Sequence, residues 1–272
     1  MKGQQAVRGR VRDLVHRGPR QVVWTPAYMG LGNLLYLALW CDADPMDRRF
    51  LRTPRLEHWL DVFPGLAELS VRRDEVRIRD IRRSAVNESY GRFGKDFSEE
   101  QLQSFVRRRL LVAFDPVDDD RLVVNIRRGD YYADHTVRGY FGFDVEAYLR
   151  VAIARVIEQR PVDSVHVVSD GLDWCRARLG WVGTEMGLPL SFASGSEGAA
   201  KDLVTVATAR RLLITNSTFS YWGGYVHDVL YPDHHADVWA PRFFSRWQDD
   251  RSAWQLDPRW SIVEDIPGGW DS

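Results

Sequence analysis

An α/β chain built on parallel sheet is what the sequence predicts, on three observations. Between residues 122 and 228, apolar runs and helical stretches alternate four times, the pattern of a doubly wound sheet with helices on both faces. Polar, chemistry-bearing residues cluster where those apolar runs end, which is where open α/β sheets bind ligands. The 272 residues are 44% hydrophobic and 12% aromatic, enough for one large or two small cored domains, and wholesale disorder is excluded.

The elements follow in chain order. Gln21–Thr25 reads as a short strand, running through the glycine-containing loop Met29–Asn33 into a helix over Leu34–Trp40. Residues 42–60 read as loop plus short helix. Ser98, with Gln101 three residues on, forms a capping box that starts a helix over about 98–113. The acidic, proline-containing run Asp115–Asp120 is the best boundary in the chain. Beyond it, Leu122–Ile126, Ser164–Ser169, Leu188–Phe192 and Arg211–Thr215 are predicted strands. The helices between and after them are Asp144–Gln159 with Asp144 as N-cap, Leu172–Leu179, Asp202–Arg210 and Thr218–Asp228. The tail after Arg242 carries Trp247, Trp254, Trp260 and Trp270 and is too short for a domain, so it must pack back on one.

Composition removes several function classes. The formal net charge is −1, against the basic balance of a typical nucleic-acid binder. The arginine clusters Arg72-Arg73, Arg82-Arg83 and Arg107-Arg108-Arg109 lack an aromatic platform, and acids are interleaved near the first two. Of the 37 basic residues, 34 are arginine, a supply of planar forks suited to phosphate and carboxylate. Cys41 and Cys175 are too few and too far apart for a disulfide framework or zinc site, which fits a reducing, cytoplasmic setting. No apolar run reaches the length of a membrane span. The basic start (Lys2, Arg8, Arg10, Arg12, Arg17, Arg20) lacks the apolar segment of a signal peptide and reads as a solvated tail, with peripheral membrane contact left open.

Three strand ends carry the chemistry: Asn125-Ile126-Arg127-Arg128-Gly129-Asp130-Tyr131, Ser169-Asp170-Gly171 and Thr215-Asn216-Ser217-Thr218-Phe219-Ser220. The last opens a helix, and hydroxyls with free backbone N–H groups at a helix N-terminus make an anion site. An arginine pair leaving a neighbouring strand can meet the same anion, and Asp170 can accept from a base or ribose. Together these groups suit a nucleotide diphosphate. Each alone has a plainer role: a solvated turn for Arg-Arg-Gly-Asp, an N-cap for Ser217 and Thr218. Asn216-Ser217-Thr218 also matches a glycosylation acceptor, set aside with the cytoplasmic reading. Gly30-Leu31-Gly32 lacks the third glycine of a dinucleotide fingerprint, since Leu35 stands there. Asp233-His234-His235 reads as exposed loop rather than metal site.

In combination these segments resemble glycosyltransferase family 11, the inverting α-1,2-fucosyltransferase type. The family's opening Gly-Leu-Gly-Asn stands at Gly30–Asn33, followed by Leu34-Leu35-Tyr36. Its His-x-Arg-Arg-Gly-Asp-Tyr is matched by Asn125–Tyr131. Its Ser-Asp motif and following tryptophan are matched by Ser169-Asp170 and Trp174, its acidic-Asp-Leu segment by Lys201-Asp202-Leu203. Its Asn-Ser-Thr-Phe-Ser-Trp-Trp is matched by Asn216–Trp222, and its closing Ala-Pro by Trp239-Ala240-Pro241. The resemblance covers about residues 22–40 and 120–245. Asn125 stands for the usual His, Leu34 for Gln and Tyr221 for Trp.

The resemblance implies a GT-B fold, two Rossmann-like domains facing a central cleft. Residues 1–118 would bind the acceptor, with the tail 243–272 packing back on them, and residues 119–242 would bind GDP-fucose. The reaction would move L-fucose to a sugar hydroxyl, α-1,2 to galactose, with inversion and neither metal nor other cofactor. Donor contacts are expected from Gly30, Gly32, Asn33, Asn125, Arg127, Arg128, Asp170, Asp202, Asn216, Ser217, Thr218 and Phe219, with Arg127 on the phosphate. Arg127, Asp130, His135 and Asn33 are the catalytic candidates. For the acceptor proton, Asp130, Asp134 and His135 are read as loop residues after the Arg-Arg-Gly-Asp turn; Asn33 can orient but not act as base. The alternative is a nucleotide-sugar- or glycan-binding protein of the same fold with impaired catalysis, suggested by Asn125 and Leu34.

Overall fold

The computed structural model describes residues 20–43, 47–85, 91–247 and 251–271. The basic start, predicted to be a solvated tail, lies outside them except for Arg20, which pairs with Asp80 at 2.7 Å. The architecture is α/β, with two all-parallel sheets. The first contains β1 (Gln21–Trp24), β2 (Arg48–Leu51), β3 (Ser70–Val71) and β4 (Ile81–Ser84) in the order β3-β2-β1-β4. Helix α1 (Leu31–Asp42) follows β1 and α2 (Pro54–Leu60) follows β2. Helix α3 (Glu99–Phe105) opens with the expected capping box between Ser98 and Gln101 and leads towards the second sheet.

That second sheet has six strands in the order β10-β9-β8-β5-β6-β7. They are β5 (Arg121–Ile126), β6 (Ser164–Ser169), β7 (Leu190–Phe192), β8 (Arg211–Ile214), β9 (Val238–Pro241) and β10 (Ser261–Val263). Leu122 of β5 sits opposite Val165 on one side and Arg211 on the other. The helices are α4 (Gly129–Ala133), α5 (His135–Phe141), α6 (Val145–Gln159), α7 (Leu172–Arg178), α8 (Trp181–Thr184), α9 (Ala199–Ala207) and α10 (Thr218–Leu230). Asp144 caps α6 as expected, accepting from the Ala147 amide. From β5 the chain runs through β6 and β7 to one edge, then returns to β8 on the other side of β5. The crevice outside β5 and β8 is therefore a topological switch point, the usual ligand position in such sheets.

What joins the sheets is α1 against α10. Helix α1 is apolar around nearly its whole circumference, and only Asn33 is exposed; such a helix must be covered on every side. Helix α10 is buried from Ser220 to Asp228. Tyr36 packs on Trp222 with centroids 5.1 Å apart, and its hydroxyl donates to Tyr225 at 3.0 Å. Tyr225 donates in turn to the Gln255 carbonyl at 2.5 Å. Burial raises the pKa of both phenols, so both remain protonated donors. The helices touch at their N-termini, where Gly32 meets the backbone of Thr218 and Phe219. A Cβ at Gly32 would stand 2.4 Å from the Phe219 nitrogen.

Two expectations need correction. The segment after Gly129 is not loop but the short helices α4 and α5, because Asp134 caps α5 by accepting from the Thr136 and Val137 amides at 2.8 and 3.0 Å. The tail does not merely pack back. It extends the second sheet through β10, while Arg259 pairs with Glu99 at 2.7 Å and the Trp254 carbonyl accepts from the Phe93 amide at 3.0 Å. Cys41 and Cys175 are both buried, and neither is part of a disulfide among the described residues. Among the described residues, no helix is long and apolar enough to cross a membrane.

Gly32→Ala is expected to destabilise the chain by about 1–3 kcal/mol, because backbone rather than a flexible side chain must yield. Gly30→Ala, with open space around the added methyl, is expected to cost less than about 1 kcal/mol. Denaturant midpoints of the two variants check this.

Candidate active site

A cleft of about 1310 Å³ collects residues from both sheets and from the C-terminal segment. From the first sheet come the loop after β1 and the start of α1, including Gly30, Gly32 and Asn33, together with Arg55, His58 and Trp59 of α2. From the second come the ends of β5 and β6 and the N-termini of α9 and α10.

Arg127 leaves β5 at the switch point, where its amide donates to the Thr215 hydroxyl at 2.9 Å. Its guanidinium is held by Asp170 at 2.5 Å and by Asp130, and lies 5.1 Å from the Tyr131 ring centroid. Asp170 is the organiser: its second oxygen accepts from the Arg128 amide at 2.6 Å. Gly129 makes room for it, since a Cβ there would lie 2.4 Å from that carboxylate. Both Asp170 oxygens are thus already engaged by protein, so its first role is to aim Arg127.

Arg128 goes the other way. Its guanidinium is sandwiched between the rings of Tyr132 at 3.5 Å and Trp174 at 4.0 Å, and it does not line the cleft. Alternation at a strand end accounts for the divergence of the pair. Burial lowers its pKa, with the nearby Tyr132, Cys175 and Asp170 opposing.

The other predicted donor residues divide in the same manner. Asn216 is buried and spends its amide on the Phe141 and Phe244 carbonyls, both at 2.8 Å, so it braces α10 rather than facing the cleft. Asn125 does line the cleft, but its amide donates to the Val168 carbonyl at 3.1 Å and accepts from Ser220 at 2.6 Å. Ser220 is in turn bonded to Ser217, the N-cap of α10. This chain of polar groups locks the end of β5 to the start of α10. Thr218 and Phe219 line the cleft, and their first-turn amides have no intrahelical acceptor. Two helix N-termini, α1 and α10, therefore bring partial positive charge to one place.

Asp202, in the first turn of α9, has two acidic neighbours, Glu197 and Asp170. It lines the cleft, partly buried, and forms no ion pair among the described residues. Burial, followed by the charges of Glu197 and Asp170, raises its pKa. An unpaired, perturbed carboxylate in a cleft marks a ligand position.

Of the proton-transfer candidates, Asp130 lines the cleft and His135 does not; His135 is exposed in the first turn of α5. Sequence reasoning missed His58, Tyr28, Ser245, Trp247, Trp254 and Gln255, all of which line the cleft. The tryptophan-rich tail was the only local signal for any of them. Among the described residues, no three His, Cys, Asp or Glu side chains form a metal-binding group. His234 and His235 face Asp237 at 3.1 Å and Asp228 at 2.9 Å. The arginine clusters are partly tied up: Arg108 and Arg109 pair with Asp42, and Arg72 with Glu75 at 2.7 Å.

Asn125→Ala and Ser220→Ala are each expected to cost about 1–3 kcal/mol, because each leaves a buried polar partner unsatisfied. Since they share one network, the double variant should lose less than the sum. Urea unfolding of the three variants provides the cycle.

The model of glycosyl transferase family 11 matches residues 88–228, just over half of the chain. Among curated proteins, the chain is similar to galactoside alpha-(1,2)-fucosyltransferase 1 of Aotus azarae, of Aotus nancymaae and of Saimiri sciureus. Each is 26% identical over 181 residues, covering 62% of this chain and 48% of the relative. The chain spans about half the length of these curated relatives. The matched family region runs from before α3 through the Arg127, Asp170, Asp202 and Ser217 segments into α10, and on that extent the chain belongs to glycosyl transferase family 11.

Proposed function

We propose that this chain transfers L-fucose from GDP-fucose to a hydroxyl of a sugar acceptor, through an α-1,2 linkage to galactose in a glycan, with inversion and without a divalent cation. The architecture is GT-B: residues 119–242 take the donor, with the N-terminus of α1 reaching its phosphates, and residues 1–118 with the tail 243–272 take the acceptor. The observation that carries the reading is that Arg127, leaving β5 at the switch point of the second sheet, lines one cleft with Thr218 and Phe219 of the first turn of α10. Family membership supplies the chemistry this arrangement would serve. The curated relatives are named for fucosyl transfer to galactosides.

The reaction requires a place for charge. As the fucose–oxygen bond breaks, negative charge grows on the β-phosphate of GDP. Arg127 and the amides of Thr218 and Phe219 are the donors that meet it. A phosphate drawing on the Arg127 fork competes with Asp130 for it. Asp130 then stands in the cleft as a freed carboxylate, and His58 of α2 is a second cleft-lining group able to take the acceptor proton. Asn33, which is exposed at the start of α1 and lines the cleft, orients the acceptor hydroxyl. The base of the nucleotide falls to Asp202, because the adjacent N–H donors on the guanine edge match one carboxylate, an arrangement absent from adenine and uracil.

With EDTA present, the wild-type chain is expected to transfer fucose, and Arg127→Ala to lose about 10²–10³ in rate, the value of a donor aimed at developing charge. Arg127→Lys should rescue poorly, since it keeps the charge and loses the fork. Single-turnover rates with radiolabelled GDP-fucose measure both.

By calorimetry, GDP is expected to bind far more tightly than UDP or ADP, and Asp202→Asn to remove that preference. The ionised form of Asp202 accepts the guanine donors, and its pKa is raised. GDP affinity should therefore fall on acidification, beginning at a higher pH than an ordinary carboxylate would dictate, and the Asp202→Asn variant should lack that component. Equal affinity for the three nucleotides contradicts the reading.

A further inference from the structure

The cleft is larger than a nucleotide needs at its donor end, and its remaining wall has an unusual surface. Two indoles of the C-terminal segment line it while staying open to solvent: Trp247 is 65% exposed and Trp254 48% exposed. Tyr28, in the loop after β1, lines the same cleft at 75% exposure. Exposed rings gathered on a concave surface mark a ligand groove.

Trp247 is held through its ring, and Trp254 through its backbone carbonyl, which accepts from the Phe93 amide at 3.0 Å. Trp247 is backed by Tyr140 and Phe141, with centroids 4.6 and 5.1 Å away. The neighbouring Arg246 anchors the backbone by donating to the Gly142 and Trp270 carbonyls at 2.8 and 2.6 Å and to Asp271 at 3.0 Å. Trp254 carries the Arg92 guanidinium 5.9 Å from its ring centroid, and Arg92 is itself held by Asp96. A rigid aromatic surface loses little conformational entropy when it binds.

Beside the rings stand two buried polar groups that are unsatisfied. The Ser245 hydroxyl is fully buried and the Gln255 side-chain oxygen belongs to a residue 6% exposed; both residues line the cleft, and neither atom has a hydrogen-bond partner among the described residues. A buried group without a partner costs free energy, and a ligand that supplies the partner recovers it.

Flat apolar surfaces interleaved with unpaired hydrogen-bonding groups fit one class of ligand closely: a pyranose chain, which offers C–H faces and a rim of hydroxyls. We propose that Ser245, Trp247, Trp254 and Gln255, with Tyr28, form a saccharide subsite for the acceptor, holding the sugar units beyond the one that receives fucose. This inference rests on the transferase reading above and adds to it the residues that hold the sugar units beyond the fucosylated galactose and so favour a longer acceptor over a disaccharide. The C-terminal segment is thereby the specificity element of the cleft.

The test is saturation-transfer NMR titration of the full chain with lactose and with a galactose-terminated tetrasaccharide, with thermal unfolding as a check on each variant's fold. The wild-type chain should bind the tetrasaccharide at least tenfold more tightly than lactose. Trp247→Ala and Trp254→Ala, each at a largely solvent-facing ring, should unfold near the wild-type temperature and lose that advantage. Gln255→Ala gives a third variant with no change in the aromatic surface, and should also weaken the tetrasaccharide. Tetrasaccharide affinity unchanged in the variants, no preference in the wild type, or no saccharide binding at all overturns the subsite. GDP titration of the wild type is a separate arm: absence of GDP binding defeats the transferase reading, while the saccharide titration still decides the subsite.

Discussion

The structure depends on one close approach. Gly32 brings the N-terminus of α1 onto the backbone of Thr218 and Phe219 at the N-terminus of α10. Everything needed at the cleft follows from it. The two helices belong to different sheets, so their contact sets the distance between the switch points. Their dipoles then add at one place instead of two. The contact is maintained from behind by the Tyr36–Trp222–Tyr225 cluster, which ties α1, α10 and the tail carbonyl of Gln255 into one core. A packed interior of this kind is rigid and transmits displacement rather than absorbing it, so small changes at α1 are felt at the N-terminus of α10.

Within that frame the second sheet was largely legible and the first was not. The strands β5, β6 and β8 and the helices α6 and α10 announce themselves through runs long enough to carry a period, and caps such as Asp144 and Ser98 act through neighbours two or three residues away. The strands β2, β3 and β4 are short, and β4 (Ile-Arg-Arg-Ser) is exposed along its whole length, so hydrophobic pattern says nothing about it. The strand β10 is three residues long and finds its partner about twenty residues back in the chain, a pairing decided by tertiary packing alone.

The site was legible to the level of segments, not of directions. Arg127 and Ser217 could be placed because strand ends and helix starts are where anions bind. Arg128 and Asn216 lie in the same motifs yet turn into the protein, one between two rings and the other onto two carbonyls. Residue type cannot distinguish these fates. Asn125, which departs from the family's usual histidine, has a structural use here: it joins β5, β6 and α10 through Val168 and Ser220. His58 and the tail residues reach the cleft only through folding of the first sheet and return of the C-terminal segment; the run of tail tryptophans marked a packing segment but not its place in the cleft.

The central claim is that two helix N-termini, held together at Gly32, cradle one pyrophosphate. Hydrogen exchange of the backbone amides with and without GDP tests it most directly, because it reads the amides themselves. The account predicts that GDP slows exchange at both helix starts, residues 31–34 and 218–221, together with the end of β5 around Arg127. Protection confined to α10, with α1 unchanged, would show that the first sheet does not take part in holding the nucleotide and would contradict the account.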